Sequence, residues 1–213
     1  MSTFVGTRYQ APNVRSIAEQ TVAELLVHPG NEFKKGVTLA AGYPCVEVGD
    51  LLGRITATGK FRRYPTALVH TGGTGTVIKL KDQTLGNVIA PPFKVGEIVN
   101  VGTDNTNTIV AVNHETGEIT IGGSITFVAD EDVHLTTADG AEAAVCIAAR
   151  PIFSGLYDPS NPNLNNMLDV DYLVDAIFQG ILKRSVLRGL DTAAVTALAA
   201  QSLMPALDAV IIR

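Results

Sequence analysis

The fold class is indicated by residues 46–61, which read V-E-V-G-D-L-L-G-R-I-T-A-T-G-K-F. Gly49 and Asp50 form a turn signal, because glycine and aspartate tolerate the backbone angles that tight turns need. The residues that follow are rich in Leu, Ile and Thr and poor in charge, which is typical of a strand. This stretch therefore predicts a turn that leads into a β-strand.

Similar short runs of Val, Ile and Thr lie on both sides of this stretch. They cover residues 37–40, 76–81, 97–101, 108–112, 118–121, 124–129 and 143–148. The runs at 108–112 and 118–121 flank N-H-E-T-G, so they predict a hairpin closed near Gly117. Strands at roughly ten-residue spacing, without helical patterns between them, predict a mainly β fold built as an antiparallel barrel or sandwich.

The chain changes character near residue 156. Residues 157–166 contain two prolines and four asparagines and predict a loop. Beyond them the apolar spacing is helical, with acids near the start and bases near the end, which complements a helix dipole. The apolar stripe of this predicted helix comprises Val170, Leu173, Val174, Ile177, Phe178, Ile181 and Leu182.

A second, alanine-rich helix is predicted after Gly189. Asp191 or Thr192 would cap its start, and Pro205 would follow its end. The apolar residues at the end of the chain, 206–213, predict a terminal strand.

The two ends of the chain differ from its middle. Residues 1–15 carry no clean period and predict an extended arm, and residues 16–27 fit either a short helix or a strand. The predicted organisation is therefore an N-terminal arm and first element over 1–32, a β-rich core over 33–155, and a C-terminal part over 156–213. That last part contains the linker, the two helices and the terminal strand.

Composition and charge exclude several classes of function. The 213 residues are 17% charged and carry a net charge of −5, whereas a broad nucleic-acid surface needs a basic face. A spanning helix needs about 18 or more consecutive apolar residues, and the sequence contains no such run. We therefore expect neither nucleic acid nor a membrane as a partner.

Candidate catalytic and ligand-binding residues do not form a recognisable pattern. The four histidines lack metal-ligand spacing and are expected at the surface or at strand ends. The Gly-rich run at 71–76 lacks the lysine of a phosphate-binding loop and predicts a flexible hairpin loop. Cys45 and Cys146 are expected to be buried free thiols of a protein that folds in a reducing cytosol. The sequence therefore predicts no enzyme and no cofactor.

Basic residues gather around one strand end beside Phe61 and Tyr64. Basic and aromatic side chains together can grip single-stranded nucleic acid, and they can equally contact an acidic protein surface. The excess of acids elsewhere favours the protein surface. The cluster consists of Arg54, Lys60, Arg62 and Arg63.

Two motifs carry a resemblance to a known family. V-T-L-A-A-G at 37–42, followed by V-G-D-L-L-G-R-I-T-A-T-G-K-F at 48–61, is similar to the front half of the lambda-type head decoration, or capsid cement, proteins of tailed bacteriophages. A-D-G-A-E-A-A-V-C-I-A-A at 138–149 is similar to the family's D-G-x-x-A-V-G-I-L-A strand, with Cys146 where that pattern usually has Gly. A looser similarity covers G-x-Y-D at 155–158, a helical stretch, and a small-residue strand at 206–212.

This resemblance implies a β-tulip-like fold and assembly as a homotrimer. It implies binding to the major capsid protein on the outer surface of an expanded icosahedral head, which stabilises that head against the pressure of packaged DNA. The protein would then belong to the virion, after assembly in the host cytoplasm. Residues 65–132 form an extra β segment between the two motifs.

Two sets of residues carry these expected contacts. An unpaired arm can add a strand to an exposed sheet edge, so the arm is the expected capsid contact. The arm residues are Thr3, Phe4, Val5, Arg8, Tyr9 and Arg15. The apolar stripe of the first predicted helix is the expected trimer face, unless it covers the β core of its own protomer. The trimer residues are Leu173, Ile177, Phe178 and Ile181.

Two other functional classes fit the same pattern. One is a different virion structural β protein, such as a piece of a tail, fibre or baseplate. The other is a carbohydrate- or peptide-binding β module, which would need an aromatic platform, whereas the Phe and Tyr residues here are scattered.

Overall fold

The computed structural model describes residues 33–85, 88–153, 160–161, 163, 165–200 and 211–212. These residues form a closed barrel, a curled six-stranded sheet, two short ribbons and one α-helix, which confirms the predicted mainly β fold. The barrel strands are β1 (Phe33–Leu39), β2 (Leu51–Arg54), β3 (Phe61–Arg63), β12 (Ala144–Ala148) and β13 (Tyr172–Gln179).

The barrel has the strand order β1-β13-β12-β2-β3. Its neighbours are antiparallel except β1 and β3, which meet in parallel at Leu39 and Phe61 and close the barrel. Alternate side chains of each strand point inward and fill the interior. The rings of Phe61 and Phe178 pack there edge to face, with their centroids 6.4 Å apart. Cys45 and Cys146 belong to the same apolar interior.

The turn at Gly49 and Asp50 is formed as predicted. Gly49 has a φ of +88°, which glycine adopts at little cost, and β2 starts two residues later, at Leu51. After β2 the chain turns back through Gly59 and pairs with itself as β3, with Leu52 opposite Arg63. The V-G-D-L-L-G-R-I-T-A-T-G-K-F motif is therefore one hairpin of the barrel.

The second sheet is inserted between β3 and β12. Its strands are β4 (Thr66–Leu68), β5 (Gly73–Lys79), β8 (Ile98–Val101), β9 (Asp104–Asn113), β10 (Glu118–Phe127) and β11 (Asp132–Leu135). Their order is β4-β11-β8-β9-β10-β5, and a bridge between Val69 and Leu80 brings the two ends of the sheet together, so that it curls around its own core. The extra β segment predicted at 65–132 is thus a separate sheet.

Two expectations inside this sheet have different outcomes. The hairpin of β9 and β10 is confirmed, and Gly117 closes it with a φ of +74°. The Gly-rich run at 71–76 is not a loop throughout, because strand β5 already begins at Gly73 and pairs with β10. Thr74 and Thr76 can enter a strand since threonine is β-branched, and this preference outweighed the glycines.

The first predicted C-terminal helix is wrong. Residues 172–179 form β13, which pairs with β1 and β12 inside the barrel, and residues 181–182 form β14 (Ile181–Leu182). Val, Ile, Tyr and Phe favour strands, and β1 and β12 supply backbone partners that an isolated apolar stripe does not reveal. Apolar residues two and four apart match a strand as well as a helix, so the periodicity was ambiguous.

The second predicted helix is confirmed as α1 (Thr192–Ala200). The Asp191 carboxylate accepts a 2.6 Å hydrogen bond from the Ala194 amide and caps it, as expected. The buried side chains of α1, Ala194 and Leu198, pack on the outside of the barrel against residues of β12 and β13. This helix therefore covers an outer face of the barrel.

The remaining strands form two ribbons. β6 (Thr84–Leu85) pairs with β7 (Val88–Ile89), and β14 pairs in parallel with β15 (Ile211–Ile212). The predicted terminal strand is thus formed at residues 211–212. The predicted arm and first element, residues 1–32, and the G-x-Y-D segment at 155–158 lie outside the described residues.

Candidate functional site

The four residues expected at a trimer face do not share one surface. In a strand, alternate side chains point to opposite faces, whereas the expected stripe assumed a helix. Leu173 is 76% exposed, but Ile177 is fully buried beneath α1. Phe178 points into the barrel toward Phe61, and Ile181 is half-buried in β14, opposite Ile211. Of the four, Leu173 is the one that the fold leaves widely open.

Leu173 lies on the outer face of the barrel with a second apolar residue close by in sequence. Val170 is 53% exposed, and we name Val170 and Leu173 together the β13 patch. On the neighbouring strand Gly36 carries no side chain, and a Cβ there would lie 3.4 Å from Leu173 Cδ1. Leu173 therefore packs over Gly36 while most of its side chain stays exposed.

The six arm residues lie outside the described residues, so their expected role stays a prediction. The described chain starts at β1, whose first four residues are exposed. β1 is paired with β13 along its whole length.

The basic cluster expected at the surface is split by burial. Arg54 is exposed and Lys60 is half-buried, with its ammonium 2.5 Å from the Asp171 carboxylate. Arg62 and Arg63 are buried in β3, so the expectation of one exposed basic surface is wrong. Because adjacent residues of a strand point to opposite faces, these two arginines enter two different charge networks.

Arg62 holds the first network. Its guanidinium forms a bidentate ion pair with Glu97, which precedes β8, and lies 3.4 Å from Asp139. It also donates a 3.0 Å hydrogen bond to the Pro92 carbonyl. The ring of Tyr43 lies under the guanidinium, with 4.4 Å between the Arg62 carbon and the ring centroid, a cation–π contact.

Arg63 holds the second network. Its Nε lies 3.4 Å from Asp50 Oδ1, and its Nη1 donates a 2.6 Å hydrogen bond to the Ala90 carbonyl. Burial raises the pKa of the Asp50 carboxyl, against the attraction of Arg63, and burial lowers the pKa of Arg63. Both directions reflect the cost of removing two charges from water, which only a close partner offsets.

Arg188 extends this second network to the C-terminal part of the chain. It forms a 2.9 Å ion pair with Glu47 and donates a 2.7 Å hydrogen bond to the Thr84 carbonyl of β6. The backbone N–H of Glu47 in turn donates a 2.7 Å hydrogen bond to Asp50. The two networks thus join the barrel to residues 84–97, the segment between β5 and β8 of the curled sheet, and we name them together the junction.

An open groove of about 1230 Å³ lies beside the junction. β4, residues 81–84 and residues 184–193 line it. Its volume exceeds the range of about 300–1,000 Å³ typical of small-molecule pockets. Its charged lining residues include Asp82, Asp132 and Arg184.

Two cysteines and one histidine are buried as well in the described part of the molecule. Cys45 and Cys146 are buried free thiols, as expected, and burial raises the pKa of Cys45 to about 12, so this thiol stays protonated. His114 directly follows the end of β9, as expected for a strand-end histidine, and it is only 5% exposed. Its Nδ1 lies 3.3 Å from the Ile89 carbonyl, and burial lowers its pKa. Across the described ranges, no group of three or more His, Cys, Asp or Glu side chains is arranged to hold a metal ion.

Local sequence patterns did not reveal the ion-pair partners of several of these residues. Glu47, Asp50, Glu97 and Arg188 are charges whose partners lie far away along the chain. One signal was present in the sequence, since Glu47 and Asp50 interrupt the apolar run V-E-V-G-D-L-L in a charge-poor chain. Lys, Glu, Arg and Asp are almost never fully buried unless they are paired, so charges in such a run indicate buried partners.

None of the helices in the described part of the chain has the length and apolar character needed to cross a membrane. Comparison with protein-family models, with curated protein sequences and with solved structures finds no match to this chain.

Proposed function

We propose that this protein is a capsid decoration protein of a tailed bacteriophage. It binds the outer surface of the expanded icosahedral head as a homotrimer, contacts the major capsid protein, and stabilises the head against the pressure of packaged DNA. Its barrel corresponds in this proposal to the β-tulip of the lambda-type decoration proteins. The protein would act in the virion, after assembly in the host cytoplasm, without a cofactor.

The observation that carries the proposal is the meeting of the two resembling motifs in one barrel. The first motif supplies the end of β1, β2 and the start of β3, and the second supplies β12. Leu52 of the first motif lies opposite Cys146 of the second, although 93 residues lie between them in the chain. Motifs that form one structural unit are better support for a family resemblance than motifs scattered over a fold.

The glycines of the two motifs also depend on each other. A Cβ on Gly53 would lie 2.1 Å from the Ala141 carbonyl oxygen, and a Cβ on Gly140 would lie 2.1 Å from Thr56 Oγ1. Each motif therefore needs a glycine because the other motif passes so close. The close contact between the two motifs therefore gives a physical reason for the glycine in each of them.

Multivalency would explain how such a protein stabilises a shell. A trimer offers three copies of every capsid contact, so contacts that are weak singly act together through a high effective concentration. The β13 patch supports a self-association face on the outside of the barrel, because Leu173 is 76% exposed. Closed three-fold symmetry would bury this patch in each copy.

Co-sedimentation with phage heads tests the proposed function. The heads are assembled from the major capsid protein encoded in the same genome, as expanded shells and as unexpanded precursor shells. We expect saturable binding of the full chain to expanded shells at micromolar concentration and no binding to precursor shells. Absence of binding to expanded shells would contradict the proposal.

Replacement of Leu173 tests the trimer face. We expect Leu173→Asp to reduce the mass in solution from that of three chains to that of one, because a carboxylate would be buried at each contact. Light scattering after size-exclusion chromatography measures this mass. Val110→Asp is the matched control, since Val110 is 49% exposed on the curled sheet and should leave the trimer intact. Equal masses for both variants would rule out the β13 patch as the trimer face.

A further inference from the structure

Strand β5 forms one edge of the curled sheet. On one side it pairs with β10, with Gly73 opposite Phe127 and Val77 opposite Thr120. On the other side, within the described ranges, β5 receives a backbone hydrogen bond at its end, where the His70 amide donates a 2.8 Å hydrogen bond to the Lys79 carbonyl. The backbone of residues 73–77 therefore has one edge to which no described strand is paired.

This edge carries one of the features that protect free strand edges, because the pairing of β5 with β10 shifts register between Gly75 and Val77. Soluble proteins guard such edges with lysines, prolines, very short strands or bulges, because an unpaired edge is a template for another strand. Residues 73–77 read G-T-G-T-V and contain neither a charge nor a proline. Thr74 is exposed and Val77 is 50% exposed, so small side chains would allow another backbone to approach.

We propose that residues 73–77 pair antiparallel with the same residues of a second copy of this chain, around a two-fold axis at Gly75. In this register Thr74 of one copy lies opposite Thr76 of the other, and all five residues are paired. A second copy fits because an antiparallel edge is self-complementary under two-fold symmetry. Charge agrees, since self-pairing places no charged residue opposite another within the segment, and Lys79 remains outside it.

This contact goes beyond the proposed function, because it joins copies by a two-fold axis and not by the three-fold axis of a trimer. A five-residue edge buries little surface and falls in the class of weak, transient contacts. It would therefore be populated when copies are crowded, as they are when neighbouring sites of a larger assembly hold them. Such pairing would link one decoration trimer to the next.

Cysteine trapping suits so weak a contact. In an antiparallel pair, directly opposite Cα atoms are about 4.5–5.5 Å apart, within the range of about 4.4–6.8 Å that a disulfide spans. Diagonal neighbours lie about 7–8 Å apart, which is too far. Residue 74 is opposite residue 76 of the partner and diagonal to its own equivalent. The native Cys45 and Cys146 are fully buried and leave a clean background.

The experiment compares Thr74→Cys, Thr76→Cys and an equimolar mixture of the two, each concentrated and then mildly oxidised without phage heads. We expect a covalent dimer in the mixture, containing one chain of each variant, and little dimer in either variant alone. No dimer in the mixture would overturn the proposal. Dimer in each single variant to the same extent would also overturn it, because random collision or another register would then be responsible.

A matched pair of lysine substitutions distinguishes loss of edge pairing from a general effect of the added charge on folding. We expect Val77→Lys, added to both cysteine variants, to slow dimer formation by about tenfold or more, because a lysine on a strand edge discourages a second strand from pairing there. Val128→Lys is the control, since Val128 is 60% exposed and lies outside the edge. Equal rates with both lysine substitutions would contradict the pairing. All these measurements omit phage heads, so their failure would leave the proposed capsid binding untouched.

Discussion

At the scale of single residues, Arg62 and Arg63 show how a strand uses both of its faces. Each guanidinium is buried and each meets carbonyl and carboxylate groups from a different part of the chain. A buried ion pair gains little over apolar packing, but the loss of one partner is costly because the other charge stays buried and unpaired. The junction is therefore sensitive to single substitutions.

Removal of the Arg63 charge tests this sensitivity. We expect Arg63→Met to lower the free energy of unfolding by about 3–5 kcal/mol, because Asp50 would remain buried without its main partner. Chemical denaturation measures the change. Lys60→Met, which breaks the exposed pair with Asp171, is the matched control and should change the stability little. A small effect of Arg63→Met would show that water replaces the guanidinium at Asp50.

Gly53 tests the contact between the two resembling motifs. We expect Gly53→Ala to destabilise the fold by about 2–3 kcal/mol, because its Cβ would meet the Ala141 backbone and not a flexible side chain. Gly122→Ala is the control, since the nearest atom to its Cβ would be 3.7 Å away. Thermal or denaturant unfolding compares the two. Equal stability of both variants would mean that the two motifs can separate without cost.

His114 makes stability depend on pH. Burial lowers the pKa of His114 in the folded chain, so below pH 6.5 the unfolded chain binds a proton that the folded chain does not. The stability is therefore full above the ordinary histidine pKa and is lost as the pH falls below it. We expect denaturant unfolding at pH 7.5 and 5.5 to show this loss in the native chain and a smaller loss in His114→Gln. His70→Gln, at an exposed position, is the control and should keep the native pH dependence.

At the scale of elements, turn chemistry was the most informative part of the sequence. Gly49 with Asp50, and Gly117, marked turns that the structure contains, because a positive φ restricts the choice of residue. The spacing of apolar residues failed at β13, where Leu173 and Ile177 are compatible with one face of a helix or one face of a strand. The partners β1 and β12 decide between these, and they are distant in the chain: Leu39 of β1 pairs with Tyr172, 133 residues later, and Ile147 of β12 pairs with Ile177, 30 residues later.

The cap of α1 belongs to the same scale. Asp191 accepts hydrogen bonds from the Ala194 amide and from the Tyr64 hydroxyl. We expect Asp191→Ala to reduce the free energy of unfolding by about 1 kcal/mol and Asp191→Asn to reduce it less, because asparagine keeps the capping oxygen. Denaturant titration distinguishes the two variants. The reverse order would show that the charge of Asp191, and not its cap, stabilises the helix.

At the scale of the whole molecule, the sequence predicted the class of fold but not how its parts are joined. The inserted sheet was visible as an extra β segment, whereas the junction depends on pairs such as Arg62 with Glu97 that local patterns do not reveal. The expected trimer face failed in the same way, because a helical stripe was assumed where alternate residues of β13 are divided between the barrel interior and its surface. Leu173 remains as the exposed member of that set.

Cryo-electron microscopy of expanded heads saturated with the full chain tests the central claim, that this protein acts by joining a shell. We expect extra density on the outer surface of the head, in groups of three copies, into which the barrel fits. Heads without added density, or with density confined to the tail, would contradict it.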